Sequence, residues 1–349
     1  MLTNDKNIPL AIAVWLATDD YSKREGSISV TTLMKSVRQI VLSARAAQVG
    51  RDMDVSVFTA SRMGTAIHDS IEKAWLNPKL PSVLKALGYK DDEIAKVRVN
   101  PPEDADPIGY FDVYVENQMY KEFMGHTIKG QYDLILNGQL NDHKSTVTYM
   151  YTSKKNIPKY ILQGSIYRWM DPVHISSNTI QINYFFTDWS KLEALRNPNT
   201  YPQDRSQSEQ YTLLSTEEVE KYLIGKIKLI EEYSEAPEET IPLCSDEDLW
   251  RTEDVFKYYA DPVKMSDPSA RSSKNFSSYA EAQAHLNAKG VGAIKTVKGQ
   301  VKACNYCNAQ NVCSQRNALL ASGELQPQKE TYGGLWTIQI THTTLSQRS

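Results

Sequence analysis

Apolar residues spaced four apart mark the first helices of this chain. In ISVTTLMKSVRQIVLSARAAQ, which starts at Ile28, Leu33, Val37 and Val41 fall on one stripe, and Thr31 or Thr32 can cap its start. In SRMGTAIHDSIEKAWLNP, Ile67, Ile71 and Trp75 recur every fourth residue, and Asn77-Pro78 stops the helix. His68 and Glu72 share a second face of that helix, so one face packs and the other displays. The period then changes. YFDVYVEN and HTIKGQYDLIL read as strands, and QLNDHKST follows across Asn137-Gly138 as a third. IPKYILQGSIYRWMDP reads as a helix, with Pro158 in its first turn and Asp171-Pro172 as its stop, before the strand TIQINYFFTDW from Thr179. This succession predicts an α/β core. Farther on, 197–212 is rich in Asn, Pro, Gln and Ser and reads as a loop. Thr216 to Tyr233 reads as a helix with a solvated, alternately charged face, Ala260 to Ser278 as a polar connection, and SYAEAQAHLNAKG as a short helix. After Leu325 no clear periodicity remains.

The Asn137-Gly138 pair fixes a register, because a two-residue type I′ turn needs positive φ at both positions. Leu136 then pairs with Gln139, Ile135 with Leu140, Leu134 with Asn141 and Asp133 with Asp142. Side chains so opposed have Cβ atoms roughly 4.5–5.5 Å apart, where like charges destabilise a sheet. Alternation puts Asp142 and Lys144 on one face and His143 on the other, while Ile128, Tyr132, Leu134 and Leu136 form an apolar face. A hard divalent cation such as Mg²⁺, which uses carboxylates together with substrate phosphates, would relieve the clash. The lysine could then orient a water or stabilise charge on a phosphate. A surface hairpin with solvated charges accounts for this stretch alone equally well.

The bulk numbers narrow the choice little. The chain has 349 residues, 41% hydrophobic and 23% charged, with a net charge of −3, so any nucleic-acid surface has to be a local groove or patch. The longest apolar run, IPLAIAVWLA from Ile8 to Ala17, is too short to span a membrane. Asp5 before it and Asp19-Asp20 after it suit a buried helix better than a signal segment, so a cytoplasmic protein with no membrane partner is expected. Three of the four cysteines cluster near the C-terminal end, which fits a metal site in a reducing compartment better than a disulfide framework.

The ordered series GQYD, NDHK and QGSIY resembles the PD-(D/E)XK nuclease superfamily, in particular the RecB-like exonucleases and their phage relatives, over roughly Ile28 to Tyr184. The resemblance implies a restriction-endonuclease-like core, a central mixed sheet flanked by helices. It assigns the GxxD aspartate to Asp133, the DxK pair to Asp142 and Lys144, and the QxxxY helix to Gln163 and Tyr167. The upstream GxxxH helix matches Gly64 and His68, with Glu72 four residues later as a supporting acid. An imidazole nitrogen from His68, oxygens from Asp133 and Asp142 and the backbone carbonyl of His143 would make a shell suited to Mg²⁺ or Mn²⁺. Lys144 would position the nucleophile or steady developing charge, Gln163 would orient DNA or the lysine, and a 5′ phosphate is the implied product. Lys154, Lys155, Lys159 and Arg168 could line a DNA groove, and Tyr149, Tyr151 and Tyr160 could stack unpaired bases.

Cys304, Cys307 and Cys313 form C-x2-C-x5-C, and Cys244 supplies a fourth thiolate. Such a set binds structural zinc or an iron-sulfur cluster. The triplet resembles that of iron-sulfur nucleases of the RecB-like group, which implies a [4Fe-4S] cluster with Zn²⁺ as the alternative; Cys244 departs from the pattern by lying after the core. The expected organisation is a nuclease core over 1–195 with N-terminal helices, a helical, cysteine-clamped region over 196–325 packed on it, and a tail over 326–349. The expected activity is metal-dependent DNA exonuclease chemistry of the two-metal type. A phage or mobile element would use it in recombination, replication or DNA degradation, with a recombination or replication protein as a possible partner. A structure-selective or nicking endonuclease, and a catalytically silent DNA-binding or assembly module, are the alternatives.

Overall fold

The computed structural model describes residues 2–18, 26–47, 53–102, 104–267 and 269–327. Most of the 326–349 tail expected from sequence therefore lies outside the described residues, as do Asp19 and Asp20. Two compact units share the described chain: one takes it up to Met34 and from 53 to Gly225, the other takes Lys35 to Ala47 and the chain from Lys226.

The first unit opens with β1 (Leu2–Thr3), α1 (Leu10–Ala17), β2 (Ser27–Ser29) and α2 (Val30–Leu33), after which α3 (Val37–Ala47) belongs to the second. It resumes with β3 (Met53–Asp54), α4 (Thr59–Trp75), α5 (Leu80–Ala86), α6 (Asp91–Ile94), β4 (Val97–Val99) and β5 (Phe111–Val115). Next come β6 (Gln118–Phe123), β7 (His126–Gln131), β8 (Leu134–Leu136), β9 (Gln139–Thr146), α7 (Thr148–Ser153) and α8 (Ile157–Met170). β10 (Thr179–Phe186), α9 (Lys191–Arg196), β11 (Ser206–Thr212) and α10 (Thr216–Tyr233) follow, the last running on into the second unit.

Its main sheet is mixed, in the order β11-β10-β9-β8-β5-β4, with β9/β10 and β4/β5 parallel and the other pairs antiparallel. A smaller sheet, β2-β7-β6, stands beside it in the same unit. Every second residue of β10 is buried (Ile180, Ile182, Tyr184, Phe186), as a sheet face covered by a helix requires. The covering helix is α8: a Cβ on its Gly164 would lie 2.6 Å from Ile180 Cδ1, so the glycine permits the close approach.

Several expectations need correction. The pattern from Ile28 is a strand and two helices rather than one helix: the Ser29 side chain, not Thr31 or Thr32, accepts the Thr32 N–H (3.1 Å), and Ser36 accepts that of Gln39 (3.2 Å) at the restart. HTIKGQYDLIL breaks at the buried Tyr132 into β7 and β8, which join different sheets. The supposed loop before Thr212 holds β11, paired from Thr179↔Thr212 to Phe185↔Ser206, so the sheet runs past the expected boundary at 195. None of its seven residues is fully buried, which is why its alternation left no apolar signal. α1 forms but is not buried: Leu10, Ile12, Val14 and Trp15 stay exposed, while Ala13 and Leu16 pack with Val55.

In the second unit β12 (Val255–Tyr259), β13 (Lys274–Phe276), α11 (Tyr279–Lys289) and β14 (Ala293–Val297) build a three-stranded antiparallel sheet with its helix, where sequence offered only a polar connection and a helix. α12 (Ser314–Ala321) is the last helix among the described residues. α3 packs Val37, Val41 and Leu42 against Ile241 and Ala309. No described helix is long and apolar enough to cross a membrane.

Candidate metal-binding and nucleic-acid site

The turn forms as expected, with φ of 46° at Asn137 and 83° at Gly138, and the register runs Leu136↔Gln139, Ile135↔Leu140, Leu134↔Asn141. The ladder stops one pair short of Asp133 and Asp142. The chain bends at Tyr132, and Asp133 turns one carboxylate oxygen onto the His143 N–H (2.7 Å) and sets the other 3.3 Å from His68 Nδ1. His68 comes from α4, as its helix face predicted.

A residue that sequence analysis missed completes this corner. β5 pairs with β8 so that Val115 faces Leu134, and one step outward Glu116 faces Asp133. Glu116 holds a left-handed φ of 48°, costly for a residue with a Cβ, and its N–H donates to the Asp133 carbonyl (3.0 Å). Gln131 Nε2 donates to its side chain (2.7 Å). One ligand atom each from His68, Glu116 and Asp133 lies within 4.8 Å of the other two. Only the β5–β8 register brings Glu116 there, since nothing in a lone strand-end glutamate announces a partner 17 positions away.

Asp142 is outside that trio. It is buried, with its carboxylate 2.7 Å from Lys144 Nζ, and Lys144 in turn donates to Gln163 Oε1 (3.3 Å). Gln163 Nε2 donates to the Tyr167 hydroxyl (2.9 Å), so the QxxxY pair of α8 supports the lysine. The His143 ring points away from Asp142 and Lys144, packing edge-on to Phe185 and 5.9 Å from the His68 ring, with Nδ1 3.3 Å from Asn183 Nδ2.

The electrostatics are those of crowded acids. Burial, together with Asp133 and Glu72, pushes the Glu116 carboxyl up to about 7 against the Gln131 hydrogen bond. Burial raises Asp142 as well, with Asp133 adding to it, although Lys144 opposes. Burial works against both charges of the His68–Asp133 pair, but their hydrogen bond wins: His68 is raised and Asp133 lowered. Burial also opposes the Lys144 charge, and Asp142 and Asp133 overcome it. A divalent cation would replace a proton among these groups and neutralise their repulsion. The donor set, one imidazole nitrogen and carboxylate oxygens, could hold a divalent cation.

The trio sits in a groove of about 790 Å³, whose walls include Trp15, Thr31, Arg62, Glu72 and Lys129. The four basic residues expected to line a DNA groove do not line this one. Lys154 is tied to Glu209 at 2.5 Å and lies over the Tyr151 ring at 4.0 Å. Lys155 lies 6.0 Å from the Tyr149 ring centre, and Lys159 and Arg168 are half-buried. Tyr151 donates to Glu209 (2.8 Å) and packs on Tyr184 and Phe186, and Tyr160 lies 5.1 Å from Lys144 Nζ; Tyr149 is exposed.

In the second unit all four cysteines are unbridged and line one small cavity of about 20 Å³ with Arg38. No three of their sulfurs lie within 4.8 Å of one another. Ser36 Oγ is 3.2 Å from Cys244 Sγ, and Arg38 Nε donates to Cys313 Sγ (3.5 Å). Burial, reinforced by the neighbouring cysteines, pushes the Cys304 thiol up to about 11. Thiolates here would need a cation.

No family model matches the chain. No curated protein matches it either. Among solved structures, "Crystal structure of SSO0001" is similar at 17% identity and a TM-score of 0.35, covering 60% of this chain and 79% of that one. A phage related exonuclease from Haemophilus somnus 129PT is similar at 15% identity and a TM-score of 0.23, over 34% of this chain and 57% of that one.

Proposed function

We propose that this chain is a Mg²⁺- or Mn²⁺-dependent deoxyribonuclease built on a PD-(D/E)XK restriction-endonuclease-like core of the RecB-like type, acting as an exonuclease. The observation that carries the reading is the convergence of His68, Glu116 and Asp133 in a groove beside the buried Asp142–Lys144 pair. A bound divalent cation supplies charge neutralisation at the scissile phosphate and a water of lowered pKa. His68, Asp133 and Glu116 would hold it, and Asp142 and the His143 carbonyl are the further ligands the sequence resemblance implies. Lys144, aimed by Asp142 and Gln163, donates to the attacking water or to the phosphate oxygens as charge grows. Tyr167 holds Gln163 in place for that task.

The cysteine cavity belongs to the same proposal. Tetrahedral zinc at a Zn–S distance of roughly 2.3 Å needs sulfurs about 3.8 Å apart. The four sulfurs are not gathered to that spacing here, and a [4Fe-4S] cluster, with Zn²⁺ as the alternative, is what the sequence resemblance implies for them. DNA is the proposed partner, and use by a phage or mobile element in recombination, replication or DNA degradation is the setting the sequence resemblance implies.

The deciding experiment incubates end-labelled linear DNA and closed circular DNA with the protein and Mg²⁺ or Mn²⁺, with Asp142→Asn as control. Loss of linear DNA alone, abolished by the substitution, is the expected result. Cutting of closed circles would identify an endonuclease instead, and no metal-dependent loss of either substrate would leave a binding module.

A further inference from the structure

We infer that the groove takes an unpaired nucleic-acid strand and that Trp15, on α1, is the platform on which one of its bases stacks. The inference rests on the nuclease reading of the trio at the groove's acidic part and adds a substrate form and a specificity-determining residue. α1 is an apolar helix that hides only two of its residues, Ala13 and Leu16, in a small cluster with Val55. Trp15 stays 42% exposed and forms part of the groove wall that also holds His68, Glu116 and Asp133. A large aromatic left nearly half in water on this wall offers a face on which any nucleobase can stack.

The rest of the wall agrees. Arg62 Nε donates to the Leu16 carbonyl (3.3 Å), which ties α1 to the helix that carries His68 and fixes the indole relative to the trio. Arg62 and Lys129 add positive charge to the lining, suited to a phosphate backbone approaching the acids. A volume of about 790 Å³ falls in the range of roughly 300–1,000 Å³ typical of sites that enclose one small molecule, which is room for a nucleotide or two. The tyrosines that sequence offered as stacking residues do not line this groove.

The test measures fluorescence anisotropy of an end-labelled dT octamer and of a blunt duplex of equal length. Binding is read in Ca²⁺ for the wild type, Trp15→Ala and Trp15→Phe, with thermal melts as a check on folding and cleavage assayed separately in Mg²⁺ or Mn²⁺. Expected are tighter binding of the octamer than of the duplex, about tenfold weaker octamer binding for Trp15→Ala, and retention within about twofold for Trp15→Phe. An octamer with abasic terminal positions should bind the wild type as weakly as Trp15→Ala binds the intact octamer. Equal octamer affinity for wild type and Trp15→Ala, tighter duplex binding, or no binding of either DNA would overturn the inference. Trp15-dependent binding with no cleavage of any DNA would sink the nuclease reading and leave the stacking platform standing.

Discussion

Glu116 concentrates the conflict between stability and chemistry in one side chain. Its folded pKa of about 7 lies above the ordinary 4.5, so a proton favours the folded state, and stability is lost as pH rises from about 4.5 through 7. Glu116→Gln keeps a carbonyl for the Gln131 hydrogen bond and removes the repulsion with Asp133. The metal-free variant should therefore be more stable than wild type by about 1 kcal/mol at pH 8, with the difference vanishing below pH 4.5, as urea titrations at the two pH values would reveal. On the proposed nuclease reading, the same substitution should lower metal-dependent cleavage by about 100-fold, because it would remove a ligand. Gln163→Ala should cost about tenfold in kcat with little change in KM, since Gln163 touches Lys144 and not the groove. Equal losses in both would mean that Gln163 contacts DNA.

At the scale of elements, what was legible from sequence was what neighbours in sequence determine. The β8–β9 turn carries its own instruction in Asn137-Gly138, and α4 and α8 carry theirs in periodicity and stops, so the elements that hold Asp133, Asp142, Lys144, His68 and Gln163 could be read locally. Glu116 depends on β5 meeting β8, and β11 is an edge strand with no buried residue, so neither left a local mark. β11 also explains Lys154: it presents Glu209 to Lys154, Tyr151 and Tyr211. Burial opposes the Glu209 charge, but these three donors outweigh it and hold the carboxyl below its ordinary range. Its contribution is thus present above pH 4.5 and lost as pH falls through the lowered folded value. Glu209→Gln should flatten the acid limb of a melting-temperature profile between pH 5 and 3 while leaving the alkaline limb alone. Gly164→Ala drives a methyl toward Ile180 and Leu213 and should destabilise by about 1 kcal/mol, measured by denaturant unfolding.

For the whole molecule the division into two units makes a separable forecast. Cys304→Ala should speed amide exchange in Val37–Ala47 and Ser314–Ala321, which share its unit, and leave β9 and β10 as protected as before. Equal loss of protection in both units would mean that they unfold together. The membership of α3 in the second unit also reaches into how the chain is made. The buried Arg38 guanidinium donates to the carbonyls of Glu238 and Ile241, pairs with the Glu238 carboxylate and donates to Ser314 (3.0 Å), partners 200 to 276 residues later in the chain. At a synthesis rate of roughly 5–20 residues per second, α3 leaves the ribosome about 10–55 s before the last of them exists. Until Ile241 is made its apolar stripe of Val37, Val41 and Leu42 lacks the surface it will cover, while the sheet that follows is already complete. The cysteine-bearing unit can close only once these later partners exist, so a nascent chain stalled before Glu238 would carry an assembled groove and an orphaned helix for chaperones to hold.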